Sequence, residues 1–246
     1  MCHLCDDRSR SHAVPVARRG FLKLAGAAAV GVTTIRSSLA APPKAPPKAE
    51  NVLGPDAALD RLMKGNRRYV EGVAKRHDFK HEREALTKGQ NPYAGVLSCA
   101  DSRVAPEYAF DAGRGDLFVC RVAGNLLNDD VVASLEYAVS VLNTPFIMVF
   151  GHKACGAVDA AIKSIKSNTT LPGRLPSLVT ALAPAVKAAL DQPGDNLDNA
   201  IRQNVVLTVA GIKAATPILS KAVEDNKLRV VGAVYDLADG RVTLVN

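Results

Sequence analysis

Apolar positions along the body of the chain recur in two distinct periods. Between Asp56 and Gly72, Ala58, Leu59, Leu62, Met63 and Tyr69 return at three- and four-residue spacing with basic residues between them. That pattern predicts an amphipathic helix with Asp56 as its N-cap. Ala94–Cys99, Asp116–Val122, Phe146–Phe150 and Leu228–Asp236 are short, nearly continuous apolar runs, and Arg241–Val245 is a shorter fifth. Runs of that length read as strands buried on both faces. Helical spacing returns over Asp129–Leu142, Cys155–Lys166, Leu178–Leu190 and Leu197–Glu224, with Pro184 and Pro217 as kinks or boundaries. Strands alternating with helices predict an α/β fold, a mainly parallel β-sheet flanked by helices. In such sheets ligands bind beyond the carboxyl ends of the strands.

The first forty residues follow a different plan. Arg18-Arg19-Gly20-Phe21-Leu22-Lys23 precedes an uncharged run from Leu24 to Ile35, and Ser38-Leu39-Ala40 follows. A basic segment, an apolar segment and a small-x-small end are the layout of a secretory signal. The paired arginines resemble those of the twin-arginine signal, which implies an exported, periplasmic protein cut after Ala40. The apolar run is well short of the roughly 20 residues that span a bilayer, so no permanent membrane anchor is expected. Cys2-His3-Leu4-Cys5 looks like half a metal site but lies in this removable leader. Residues 41–50 form a Pro/Lys-rich spacer, and residues 51–246 are expected to form one folded domain.

Composition narrows the function further. The net charge is +7, and four of those charges belong to residues 1–40, so the body has no polyanion-binding character. Aromatic residues make up 4% of the chain and Trp is absent, which argues against base stacking and against a nucleic-acid partner.

Two segments that carry chemistry fall at predicted strand ends, Cys99-Ala100-Asp101-Ser102-Arg103 and Gly151-His152-Lys153-Ala154-Cys155. Each residue alone reads as a buried cysteine or a helix-capping histidine. Together Cys99, His152 and Cys155 make a Cys₂His set suited to zinc, and three protein ligands with an open fourth position describe a catalytic ion. Asp101 can accept a hydrogen bond at that position or bind it as a fourth ligand in a closed state, and Arg103 can hold Asp101 through a bidentate contact. His77 and His81 read as a solvated helix face, and Cys120 as a small buried hydrophobe.

Cys-x-Asp-Ser-Arg-Val followed by His-x-x-Cys-Gly, with 48 residues between Arg103 and His152, resembles the paired motif of the β-class carbonic anhydrases. The resemblance runs from about Asp56 to Val245. It implies a zinc lyase in which Cys99, His152 and Cys155 bind Zn2+ and Asp101–Arg103 is the catalytic dyad. The reaction implied is reversible hydration of carbon dioxide to bicarbonate and a proton, by attack of zinc-bound hydroxide. Gln90, Phe118 and Gly156 are the implied substrate-pocket residues, with Gln90 and Phe118 reaching the partner's pocket in a homodimer or tetramer. Two thiolate ligands imply a less acidic water than three histidines give, and activity rising toward alkaline pH. One branch of the family closes its site with bicarbonate at a Trp, an Arg and a Tyr. The matching positions are read as Val96, Arg121 and Tyr137, and Val96 lacks an indole donor, so Asp101 is expected to stay on Arg103 near neutral pH. The competing readings are a carbon disulfide or carbonyl sulfide hydrolase on the same scaffold and a non-catalytic zinc-binding module.

Overall fold

The computed structural model describes residues 53–87 and 89–245; the leader, Cys2-His3-Leu4-Cys5 and the spacer lie outside the described residues, as does the side chain of His81. The sheet contains β1 (Ala94–Ser98), β2 (Leu117–Arg121), β3 (Phe146–His152), β4 (Arg229–Tyr235) and β5 (Val242–Val245) in the order β2-β1-β3-β4-β5. The pairs β1–β2, β1–β3 and β3–β4 are parallel, and β4–β5 is antiparallel. The expected mainly parallel sheet flanked by helices is what the chain forms.

Strand alternation explains why the runs are apolar throughout. On β3, Phe146, Met148 and Phe150 point into one core and Ile147 and Val149 into the other. The first core packs against α1 (Pro55–Val70) and α3 (Pro106–Ala109). The second packs against α4 (Asp129–Ser140), α5 (Gly156–Ser167), α6 (Leu175–Leu190), α7 (Asn196–Ala214) and α8 (Ile218–Glu224). A further short helix, α2 (Phe79–Leu86), follows α1. Among the described residues no single helix is long and apolar enough to cross a membrane.

One expectation needs correction, and the two prolines differ in what they do. Asp56 does not cap α1: Gly54 holds the cap position, Pro55 opens the helix with its preset φ, and Asp56 pairs with Arg229. Pro184 does not end α6, which runs through it. Pro217 acts as a boundary, as expected: the helical stretch from Leu197 to Glu224 is α7 and α8, bent by 90°.

The seat of α1 is tight. A Cβ at Gly65 would lie 1.8 Å from the Phe110 carbonyl oxygen, and backbone cannot yield as a flexible side chain can. Gly65→Ala is therefore expected to cost about 3 kcal/mol or more and to lower Tm by about 6–12 °C in a thermal melt. The same helix is tied down by charge. Arg68 Nε donates to Asp111 Oδ2 at 2.6 Å, and the Lys75 amide donates to Asp111 Oδ1 at 3.0 Å. Burial opposes the Asp111 charge, but the Arg68 bond and the Lys75 amide outweigh it and hold the carboxyl below its usual range. A depressed folded-state value stabilises the fold above the ordinary carboxylate pKa, near 4, and that contribution disappears as pH falls through the folded value. Acid titration of stability should accordingly be less steep below about pH 4 in Asp111→Asn than in the parent.

Candidate metal centre

The strand order places the site. From β1 the chain turns to β2 on one side of the sheet, and from β3 it proceeds to β4 on the other. The β1–β3 boundary is therefore a topological switch point, where the carboxyl ends leave a crevice. Cys99 follows the last residue of β1 and His152 is the last residue of β3. Ala154 then takes a left-handed conformation, φ +52°, which turns the chain so that Cys155 becomes the N-cap of α5. That turn is why two ligands three residues apart converge.

The ligand atoms of Cys99, His152 and Cys155 all lie within 4.8 Å of one another, and all three residues are buried. The sulfurs are 4.0 Å apart. Two thiolates on a tetrahedral zinc at 2.3 Å each would stand about 3.8 Å apart. His152 Nδ1–H donates to the Lys153 carbonyl at 2.8 Å, which fixes the tautomer and leaves the Nε2 lone pair facing the sulfurs. His152 Nε2 is fully buried and has no hydrogen-bond partner. A buried acceptor without a partner costs about 1–3 kcal/mol, so a chain that keeps one there is built around something that binds it. Donor type, spacing and the orphaned nitrogen all fit zinc.

The electrostatics fit as well. Hydrogen bonding from Cys155 leads in lowering the Cys99 thiol to about 4; burial works against it, and His152 and the Gly124 amide assist. The Cys155 thiol is pushed up by its hydrogen bond to Cys99 and by burial, the opposite direction to its partner. For His152 burial opposes the charge, but the Cys99 sulfur more than offsets it and the net direction is upward.

Asp101 stands at the rim of this set, its Oδ2 3.9 Å from His152 Nε2. Arg103 grips it three times: backbone N–H to Oδ1 at 2.9 Å, Nε to Oδ1 at 2.9 Å and Nη2 to Oδ2 at 2.7 Å. The Arg103 side-chain bonds hold the Asp101 carboxyl well below the usual carboxylate range. Arg103 Nη2 also reaches the Ala154 carbonyl at 3.3 Å, linking the dyad to the turn between the two β3-side ligands.

Among the other predicted residues, Gly156 directly follows Cys155 in the chain. Gly156 opens α5, and a Cβ there would meet nothing within 4 Å. Gln90 is exposed beside Tyr137 and Leu142, and Phe118 lies on β2 with its ring 6.3 Å from that of Tyr137. Neither is gathered at this chain's own donor set. The trio Val96, Arg121 and Tyr137 is not brought together either. Val96 is buried in the α1-side core, whereas Tyr137 sits half-exposed on α4 across the sheet. Strand alternation separates them, and the tyrosines that share the core of Val96 are Tyr93 and Tyr235, the latter at the end of β4. His77 is partly buried between Glu82, at 3.3 Å, and Asp111, at 3.9 Å, instead of lying on an open face. Cys120 is half-buried on β2, and burial raises its thiol.

Two contributors were not legible as such in the sequence. Arg121 donates through Nε to the Cys99 carbonyl at 3.1 Å and through Nη2 to the Asp101 carbonyl at 2.7 Å, clamping the loop that carries both residues. The Gly124 amide donates to Cys99 Sγ at 3.3 Å. The second is a backbone group, which no side-chain motif reveals.

Comparison with known proteins agrees with this geometry. The family model described as carbonic anhydrase matches residues 94–242. Carbonic anhydrase 2 of Mycobacterium tuberculosis is 40% identical over 191 residues, which is 77% of this chain and 92% of that protein. Among solved structures, the β-carbonic anhydrase CcaA aligns with a TM-score of 0.63 at 26% identity, covering 76% of this chain and 95% of that one. The Coccomyxa β-carbonic anhydrase in complex with acetazolamide aligns with a TM-score of 0.60 at 27% identity, covering 76% and 86%.

Proposed function

The chain belongs to the β-class carbonic anhydrases, and from that premise we propose that it catalyses the reversible hydration of carbon dioxide to bicarbonate and a proton. The observation that carries the proposal is the buried, unpartnered His152 Nε2 converging with two cysteine sulfurs at the switch point of the sheet. Cys99, His152 and Cys155 would hold zinc, which when bound supplies a Lewis-acidic centre beside which water loses a proton near neutral pH.

The remaining work falls to this chain's side chains. Asp101, kept anionic by Arg103, is an acceptor with a fixed direction. It can take the hydrogen of a water at the rim of the donor set and so aim that water's oxygen lone pair at the carbon of carbon dioxide. Because Arg103 fills Asp101 with three hydrogen bonds, the carboxylate is kept from swinging onto the donor set itself. Arg121 holds the carbonyls of Cys99 and Asp101, so acceptor and first ligand move as one body. The absence of a side chain at Gly156 leaves room for a small substrate at the start of α5.

Metal analysis and a two-gas assay test this reading together. Purified protein is expected to contain about one zinc per chain and to turn over carbon dioxide in preference to carbonyl sulfide or carbon disulfide. Active protein without zinc, or preference for the sulfur gases, would overturn it.

Export and assembly complete the proposal. The protein is exported by the twin-arginine route, as the order of residues 18–40 supports. Arg18→Lys combined with Arg19→Lys should leave the precursor in the cytoplasm on fractionation; normal export of the double variant would refute the route. The protein assembles at least as a homodimer, in keeping with Gln90 and Phe118 lying away from their own chain's donor set. Sedimentation at a single-chain mass would refute that.

A further inference from the structure

A buried amide on α7, remote in sequence from every ligand, is tied to the Cys99 sulfur through one turn of backbone. After β2 the chain makes a tight turn over Ala123–Asn125, with Gly124 at φ +74°. The Gly124 N–H faces Cys99 Sγ at 3.3 Å. On the other side of the same residue, the Gly124 carbonyl accepts a hydrogen bond from Asn204 Nδ2 at 2.8 Å. Asn204 is 5% exposed, in the middle of a helix whose neighbours Ile201, Val205 and Thr208 are also buried. A polar side chain at such a position is costly unless its bond is made.

We propose that Asn204 is a positioning residue for the metal centre: by holding the Gly124 carbonyl, it aims the Gly124 N–H at the Cys99 sulfur and sets how strongly that thiolate binds its metal. The inference rests on the zinc reading above and extends it to a residue 105 positions from Cys99 in sequence. The physical argument has three parts. An N–H donor on a thiolate withdraws charge from sulfur and fixes the direction of its lone pairs. The turn cannot be held by its own geometry alone, because glycine at positive φ is the most permissive residue. Leu182 restrains the turn only by contact, its methyls lying 3.1 and 3.3 Å from where a Cβ on Gly124 would be. Within the turn the Asn125 N–H donates to the Val122 carbonyl at 2.9 Å; Asn204 adds the directional restraint on the Gly124 carbonyl itself, and partners of this outer kind alter metal affinity about 10–100-fold.

The test compares Asn204→Leu, of similar volume but without a donor, with the parent protein. Zinc release to a chromogenic chelator is expected to be about 10–100-fold faster in the variant, because the Cys99 sulfur, no longer aimed by the turn, leaves its metal-facing direction and this outweighs its gain in donor strength. In cobalt-substituted protein the sulfur-to-metal charge-transfer band is expected to move to lower energy, because a thiolate without its N–H donor is the better electron donor. Ile212→Ala, two turns further along α7 and also buried, is the control. It should lower stability yet leave both the release rate and the band in place, which separates positioning from general destabilisation. If Asn204→Leu does not fold, Asn204→Ser replaces it; its shorter hydroxyl donor should give an intermediate release rate and band shift. A folded Asn204 variant whose release rate and cobalt band match the parent overturns the proposal, as does an Ile212→Ala variant that changes both to the same extent. Failure of the parent itself to take up zinc or cobalt would instead overturn the zinc reading.

Discussion

His152→Ala is expected to lose zinc and carbon dioxide hydration together. His152 contributes the one nitrogen of the donor set, from a ring that is fully buried and held by the Lys153 carbonyl. Removing the ring takes away a ligand and leaves two sulfurs 4.0 Å apart, an arrangement which holds a divalent cation poorly. Outer partners of metal ligands typically change affinity about 10–100-fold, and a direct ligand should exceed that range. After dialysis the variant should hold less than about a tenth of the parent's zinc, read by elemental analysis, with hydration activity reduced in proportion. Full zinc occupancy in a folded His152→Ala protein would exclude His152 as a ligand.

Much of this site is present in the sequence as two short motifs; the rest is not. Continuous apolar runs such as Phe146–Phe150 reveal buried strands because both faces of a covered parallel sheet are dry. Cys99 and His152 could be placed at strand ends from that pattern alone. The short helices α2 and α3 escape it because segments of eight and four residues are too brief for helical periodicity to register. The division of α7 from α8 was visible only as a proline. The mistaken pairing of Val96 with Tyr137 shows a different limit: motif position does not say which face of the sheet a residue occupies, and strand alternation decides that. The contacts that tune the ligands are the least legible. Arg121 and Asn204 act on backbone carbonyls, and Gly124 acts through its own amide. Any residue type can occupy the accepting end of such a bond, so sequence spacing carries no signature of it.

The second large effect belongs to Asp101. Asp101→Asn is expected to keep its zinc, because Asp101 is held by Arg103 outside the Cys₂His set. The amide offers one oxygen where the carboxylate offered two, so Arg103 loses its paired acceptor. It also turns an N–H toward the water that Asp101 would have received. A positioned proton acceptor contributes about 10²–10⁴-fold to a reaction of this kind, and kcat/KM should fall within that range while metal content stays near the parent value. A loss of zinc with Asp101→Asn would instead make Asp101 a ligand, and unchanged kinetics would remove it from the reaction.

Stopped-flow measurement of carbon dioxide hydration, on parent protein as purified, after zinc removal by a chelator and after zinc is restored, bears most directly on the role of Cys99, His152 and Cys155. Activity should disappear in proportion to the zinc removed and return with it. Hydration at an undiminished rate in zinc-free protein would contradict that role.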